Sequence, residues 1–100
     1  MPIVETLREA ILSRTVLEVL YSPGVRHVEP HCMGRSSKGD LLLRAYQSSG
    51  ASESGEFTHW KLFRLDKLTS AKLTGNKFAG PRPEYNPDDK AMKGGIIARL

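Results

Sequence analysis

A single cysteine, Cys32, stands in the 100 residues, so an intrachain disulfide and a four-thiolate zinc site are both excluded. On its own, Cys32 reads as a small, half-buried apolar residue. Long hydrophobic runs are missing too. The longest span a few residues, against roughly 20 needed to cross a bilayer, so no membrane partner is expected. The start, Met1-Pro2-Ile3-Val4-Glu5, lacks the basic opening and apolar stretch of a signal peptide, and a cytoplasmic protein is expected. No glycine-rich phosphate loop is present: Gly94-Gly95 falls late and lacks the partner lysine and threonine. No serine sits in a nucleophile-elbow pattern. His31 and Cys32 are adjacent, so in an extended chain they point to opposite sides, and nothing nearby completes a metal set. Asp88-Asp89 lacks the spacing and glycine of a calcium loop. Glu5 and Glu9 fall on the polar face of a helix. The sequence therefore predicts no enzyme, no cofactor and no metal.

What is present describes one small domain. Hydrophobic residues make up 39% and charged residues 26%, which is too apolar for a disordered chain. A chain this short buries only about two-thirds of its unfolded surface, which excludes a large α/β scaffold with a deep cofactor crevice. The net charge is +4. Segment 57–77 carries Lys61, Arg64, Lys67, Lys72 and Lys77 against one acid, Asp66. That balance favours an anionic partner such as nucleic acid or a nucleotide. It equally suits lysines protecting a strand edge.

Ile3, Val4, Leu7, Ala10 and Ile11 recur at helical spacing and predict a helix over 3–13. Residues 16–21 read as a strand, Ser22-Pro23-Gly24 as a turn, and 25–30 as a second strand ending at Pro30 or lying at an edge. A third strand covers 40–47, with Leu41, Leu43 and Ala45 on one face and Leu42, Arg44 and Tyr46 on the other. A loop over 48–56 precedes a fourth strand over 57–65, in which Lys61 and Phe63 share a face opposite to Trp60, Leu62 and Arg64. A turn at 66–68, a short strand over 71–74, a helical turn over 90–92 and a last edge strand over 96–100 follow. Pro81, Pro83 and Pro87 forbid long regular structure after Phe78. Residues 79–100 read as a proline-rich extension packing on the domain formed by 1–78. The fold class is mainly β with an N-terminal helix, about five short antiparallel strands making a small, strongly bent sheet or barrel. A guanidinium beside a phenol, as at Arg44 and Tyr46, makes an anion and base-stacking surface.

Four blocks carry a family resemblance: Val16-Leu17-Glu18-Val19-Leu20-Tyr21, Arg26-His27-Val28-Glu29-Pro30-His31, Leu41-Leu42-Leu43-Arg44-Ala45-Tyr46, and Lys61-Leu62-Phe63-Arg64-Leu65-Asp66-Lys67-Leu68. In content and order they resemble the WYL domain, whose closing signature reads Arg-x-Phe-Arg-Leu-Asp-Arg-Ile. The resemblance covers residues 4 to about 78. The family's Trp-Tyr-Leu aligns with Leu41-Leu42-Leu43, keeping only the leucine, and the helix-turn-helix that most members carry is not seen, so a stand-alone WYL-like domain is expected. The resemblance implies an Sm-like five-stranded β-barrel that senses a ligand, single-stranded nucleic acid or a nucleotide-like anion, in bacterial regulation or phage defence. It carries binding roles to Tyr21, Arg26, Tyr46, Lys61 and Arg64. Position and chemistry add His31 and Arg44. The alternative is a protein-interaction or assembly domain, in which 79–89 and the terminal strand contact a second copy in a homodimer or a partner regulator.

Overall fold

The apolar stripe at 3, 4, 7, 10 and 11 forms α1 (Ile3–Ser13), which buries Leu7, Ala10 and Ile11. The computed structural model describes residues 3–21, 24–50 and 59–100. Arg14 closes the helix in the left-handed region, at φ 54°, its N–H bonding back to the Ile11 carbonyl at 3.3 Å. The strands are β1 (Thr15–Tyr21), β2 (Gly24–Arg35), β3 (Leu41–Gly50), β4 (Trp60–Arg64), β5 (Ser70–Lys77) and β6 (Gly95–Arg99), with a 3₁₀ turn at Leu65–Lys67. The expected residues Ser22, Pro23 and 51–58, Phe57 among them, lie outside the described ones.

All ladders are antiparallel. They run in the order β4-β3-β2-β1-β5, and β6 pairs with β2. Pro30 does not end its strand, contrary to the expectation from sequence. β3 pairs along nearly all of β2, whereas the other edge of β2 changes partner. β1 takes Gly24 to Val28, and β6 takes Cys32 to Arg35. Pro30 sits at the changeover, beside a register shift between Pro30 and Cys32, where neither β1 nor β6 is paired with β2. The strand at 71–74 is longer than expected, and 86–94 forms turns rather than a helical turn, with Ala91 N–H capped by Asp89 Oδ1 at 2.9 Å.

The two sheet edges, β4 and β5, are consecutive in sequence. A flat sheet would separate them by four strand spacings of about 4.8 Å, roughly 19 Å. Residues 65–69 join them, and a 3₁₀ turn advances only about 2 Å per residue. The sheet must therefore curl strongly. No ladder joins β4 to β5 among the described residues, so what stands is a mainly β fold, a strongly curled antiparallel sheet with an N-terminal helix.

Ladder partners share a face, and this sorts the side chains. Leu17, Val19, Val28, Met33, Leu43 and Phe63 face α1 and form the main core. Cys32 and Leu42 face the other way and are covered by Met92, with Tyr85 and Ala91 packed beside them. Gly34 lies where β2 passes under the turn into β6: a Cβ there would sit 2.5 Å from the Gly95 carbonyl oxygen. No helix among the described residues is long and apolar enough to cross a membrane.

Candidate functional site

The face away from α1 carries Glu29 and Cys32 from β2, Leu42, Arg44 and Tyr46 from β3, and Trp60, Leu62 and Arg64 from β4. The registers Tyr46↔Trp60, Arg44↔Leu62 and Leu42↔Arg64 set this arrangement. Segment 78–92 crosses that face as a strap. Proline stiffens it, and each short stretch between prolines contributes one anchor. Arg82 forms a forked pair with the buried Glu29 carboxylate, both contacts at 2.7 Å, and its guanidinium lies 4.5 Å from the centre of the Tyr46 ring. The Trp60 indole N–H donates to the Pro83 carbonyl at 3.1 Å. Arg44 pairs with Asp89, Nε to Oδ2 at 2.7 Å and Nη2 to Oδ1 at 3.4 Å. Burial works to raise the Asp89 carboxyl, but hydrogen bonds from Arg44 and the Ala91 N–H outweigh it and hold the group below the usual carboxylate range.

His31 pins the strap from beneath. It is 0% exposed. Its Nδ1 lies 2.7 Å from the Glu29 carbonyl, and its Nε2 lies 3.1 Å from the Arg82 backbone nitrogen. A carbonyl can only accept and an N–H can only donate, so the imidazole is neutral with its proton on Nδ1. Its carbonyl oxygen accepts from Leu100 N–H at 2.9 Å and from the Tyr85 hydroxyl at 3.3 Å. Trp60, Phe78 and Tyr85 surround the ring. Burial lowers its pKa, against the opposing pull of the Glu29 carbonyl and carboxylate, with Arg82 adding to the lowering. Burial also pushes the Cys32 thiol up to about 11 and the Tyr85 phenol up to about 12, so neither supplies a nucleophile near neutral pH.

Two clefts open on this face. One, of about 260 Å³, is lined by Arg44, Trp60, Glu84, Tyr85, Asn86, Asp89 and Lys90. The other, of about 280 Å³, is lined by Tyr46, His59, Trp60, Pro83 and Glu84. Trp60 and Glu84 belong to both. The rings are ordered: Tyr46 stacks on His59 with centroids 4.6 Å apart and planes 5° apart, and meets Trp60 edge-on at 86°. A roomier groove of about 640 Å³ runs beside 77–83, but its charged side chains are already engaged. Lys77 bonds Thr15, and Glu29 holds Arg82. No cluster of three or more His, Cys, Asp or Glu that could hold a metal occurs among the described residues.

Of the residues singled out in sequence, Arg44, Tyr46 and Arg64 come together on this face, and His31 lies under the strap. Tyr21, Arg26 and Lys61 do not join them. Tyr21 packs its ring edge on Phe63, with centroids 4.9 Å apart. Arg26 is 4% exposed, with its guanidinium 5.0 Å from the Tyr21 ring centre and 5.5 Å from that of Phe63. Lys61 is opposite Ala45, on the core side. Arg64 is 44% exposed and forms a forked pair with Asp66, with Asp40 at 3.5 Å. Exposed pairs of this kind contribute little. Arg64→Ala is expected to leave the melting temperature nearly unchanged, which differential scanning fluorimetry checks.

Sequence reading missed Arg82, Glu84, Tyr85, Asp89 and Lys90. The only available signal was charged and aromatic residues interleaved with Pro81, Pro83 and Pro87, a pattern with no period. Comparison with family models, with curated proteins and with solved structures finds no match to this chain.

Proposed function

We propose that the protein is a non-enzymatic, WYL-like binding module for single-stranded nucleic acid or a nucleotide-like anion, acting in a regulatory or phage-defence setting. The observation that carries this reading is the ordered aromatic group Tyr46, His59 and Trp60, flanked by two clefts, one of which has Lys90 at its margin beside the Arg44–Asp89 pair. Every base has a π-face, so such a group binds bases without regard to sequence, while cations at its margin hold phosphate. The Sm-like barrel reading rests on the curl that the short β4–β5 link imposes.

Labelled single-stranded oligonucleotides should bind at low micromolar protein and low salt. Log affinity should fall with log salt at a slope of about −0.7 per phosphate contact, read by fluorescence anisotropy. Absence of binding under those conditions overturns the proposal. Arg64 lies beyond the clefts but on their face, next to Leu42 and diagonal to Arg44. It serves a strand longer than the clefts hold, so Arg64→Ala weakens oligonucleotide binding and flattens the slope by one contact's share.

A second reading, the assembly domain, has one observation in its favour. Leu20 and Val25 are direct ladder partners, yet they are 37% and 48% exposed. The contact would lie there rather than on 79–89, since that segment is engaged with its own sheet. Light scattering of the full chain distinguishes a homodimer from a monomer.

A further inference from the structure

Glu84 lies in a conformation that its residue type disfavours. The Tyr85 N–H bonds the Arg82 carbonyl at 3.2 Å, which makes 82–85 a tight turn with Pro83 in its second position. Glu84, in the third position, has φ 73°. Turns with proline second and a positive φ third call for glycine there, or asparagine. Backbone preference therefore does not account for a glutamate, and a residue held against its preference is a marker of function when a site surrounds it. Glu84 is exposed, and two clefts open beside it. It borders both clefts, against Trp60 in each, and its carboxylate has no hydrogen-bond or ion-pair partner among the described residues. The other acids of this face, Glu29 and Asp89, are each held by an arginine. Lys90 also lines the first cleft, is exposed, and likewise has no partner among the described residues.

We propose that Glu84 makes this a guanine-selective nucleotide site, an inference that rests on the binding reading above. A free carboxylate only accepts hydrogen bonds. Guanine alone among the common bases presents two adjacent N–H donors on its Watson–Crick edge, at N1 and N2. Adenine and cytosine present one amine beside an acceptor nitrogen, and uracil and thymine present one N–H between two carbonyls. Each of these sets an acceptor against the carboxylate. The base packs against Trp60 and Tyr85, two near-parallel rings with centroids 6.3 Å apart in the first cleft; Glu84 takes its N1 and N2 donors, and Lys90 meets the phosphate. The same chemistry could come from a free guanine nucleotide or from a guanosine within a strand.

Trp60 is the only tryptophan in the chain, so its fluorescence reports the site directly. The full chain is titrated with GMP, AMP, CMP and UMP, and with a thymidine oligonucleotide carrying or lacking one central guanosine. GMP, or the guanosine-containing strand, should bind about tenfold or more tightly than its counterparts, the size of one or two hydrogen bonds to a charged group. Which of the two shows the preference identifies the source. Glu84→Gln should abolish the preference by weakening GMP binding, while AMP, whose acceptor nitrogen no longer faces a carboxylate, should bind at least as well as to the parent. Glu84→Gly should also abolish it and melt no lower than the parent, which separates recognition from folding. Equal binding of all bases, or a preference that survives Glu84→Gln, overturns the guanine assignment and leaves the binding module intact. No response to any nucleotide or strand overturns both.

Discussion

His31→Ala should cost about 3 kcal/mol and lower the melting temperature by roughly 12–24 °C, by freeing the strap from the strand beneath it. Two contributions add. The first is the cavity left among Trp60, Phe78 and Tyr85. The second is the loss of acceptor and donor for the Arg82 N–H and the Glu29 carbonyl, both part-buried or buried. The same residue sets a pH dependence. The folded state holds His31 below its ordinary pKa of 6.5, because burial disfavours the imidazolium. The unfolded chain therefore binds a proton that the folded chain refuses. The stabilisation is complete above about pH 6.5 and is lost as pH falls through the folded value. The carboxyls held low, Asp66 and Asp89, act in a separate window, below about pH 3.8. Urea titrations between pH 7 and pH 5 should show the slope, and the permanently neutral His31→Gln variant should flatten it. An unchanged stability of His31→Ala at pH 7 would show that the strap is not pinned through this ring.

Arg26→Ala should cost about 2–4 kcal/mol and act on folding rather than on any ligand. The guanidinium is buried against the rings of Tyr21 and Phe63, donates to the Tyr21 carbonyl at 3.3 Å, and donates to Gln47 Oε1 at 3.4 Å. Truncation removes the packing of a long side chain and two donors at once, leaving buried acceptors behind. Circular dichroism melts measure the loss. Oligonucleotide affinity, read well below the melting temperature, should match the parent. A variant of parental stability with weakened binding would return Arg26 to the ligand site.

Arg26 also shows where sequence reading stopped. It has the same parity as Val28 on its strand, and Val28 is core. Alternation alone would have placed Arg26 inward, but charge argued for the surface and family resemblance for the ligand. Where period and polarity agreed, as in α1, β1 and the Leu41-Leu42-Leu43 strand, the elements lie where residue spacing puts them. The tail of β2 escaped because proline is a stop signal only when both strand edges are in use. The strap escaped for a different reason. Its order comes from contacts reaching back some fifty residues, Arg82 to Glu29 and Tyr85 to His31, and local pattern carries no trace of them.

The change of partner along β2 also orders the assembly of the chain in time. The ladders of β1, β2 and β3 join segments adjacent in sequence and close short loops, so they form early and at small entropic cost. The β2–β6 ladder joins segments some sixty residues apart and cannot begin until Gly95–Arg99 has been made. During synthesis the first three strands can collapse on α1 while the half of β2 beyond Pro30 still has an open edge. That edge bears His31, Cys32 and Met33, and the proline at its border, which has no N–H, limits the row of donors it offers to a neighbouring strand.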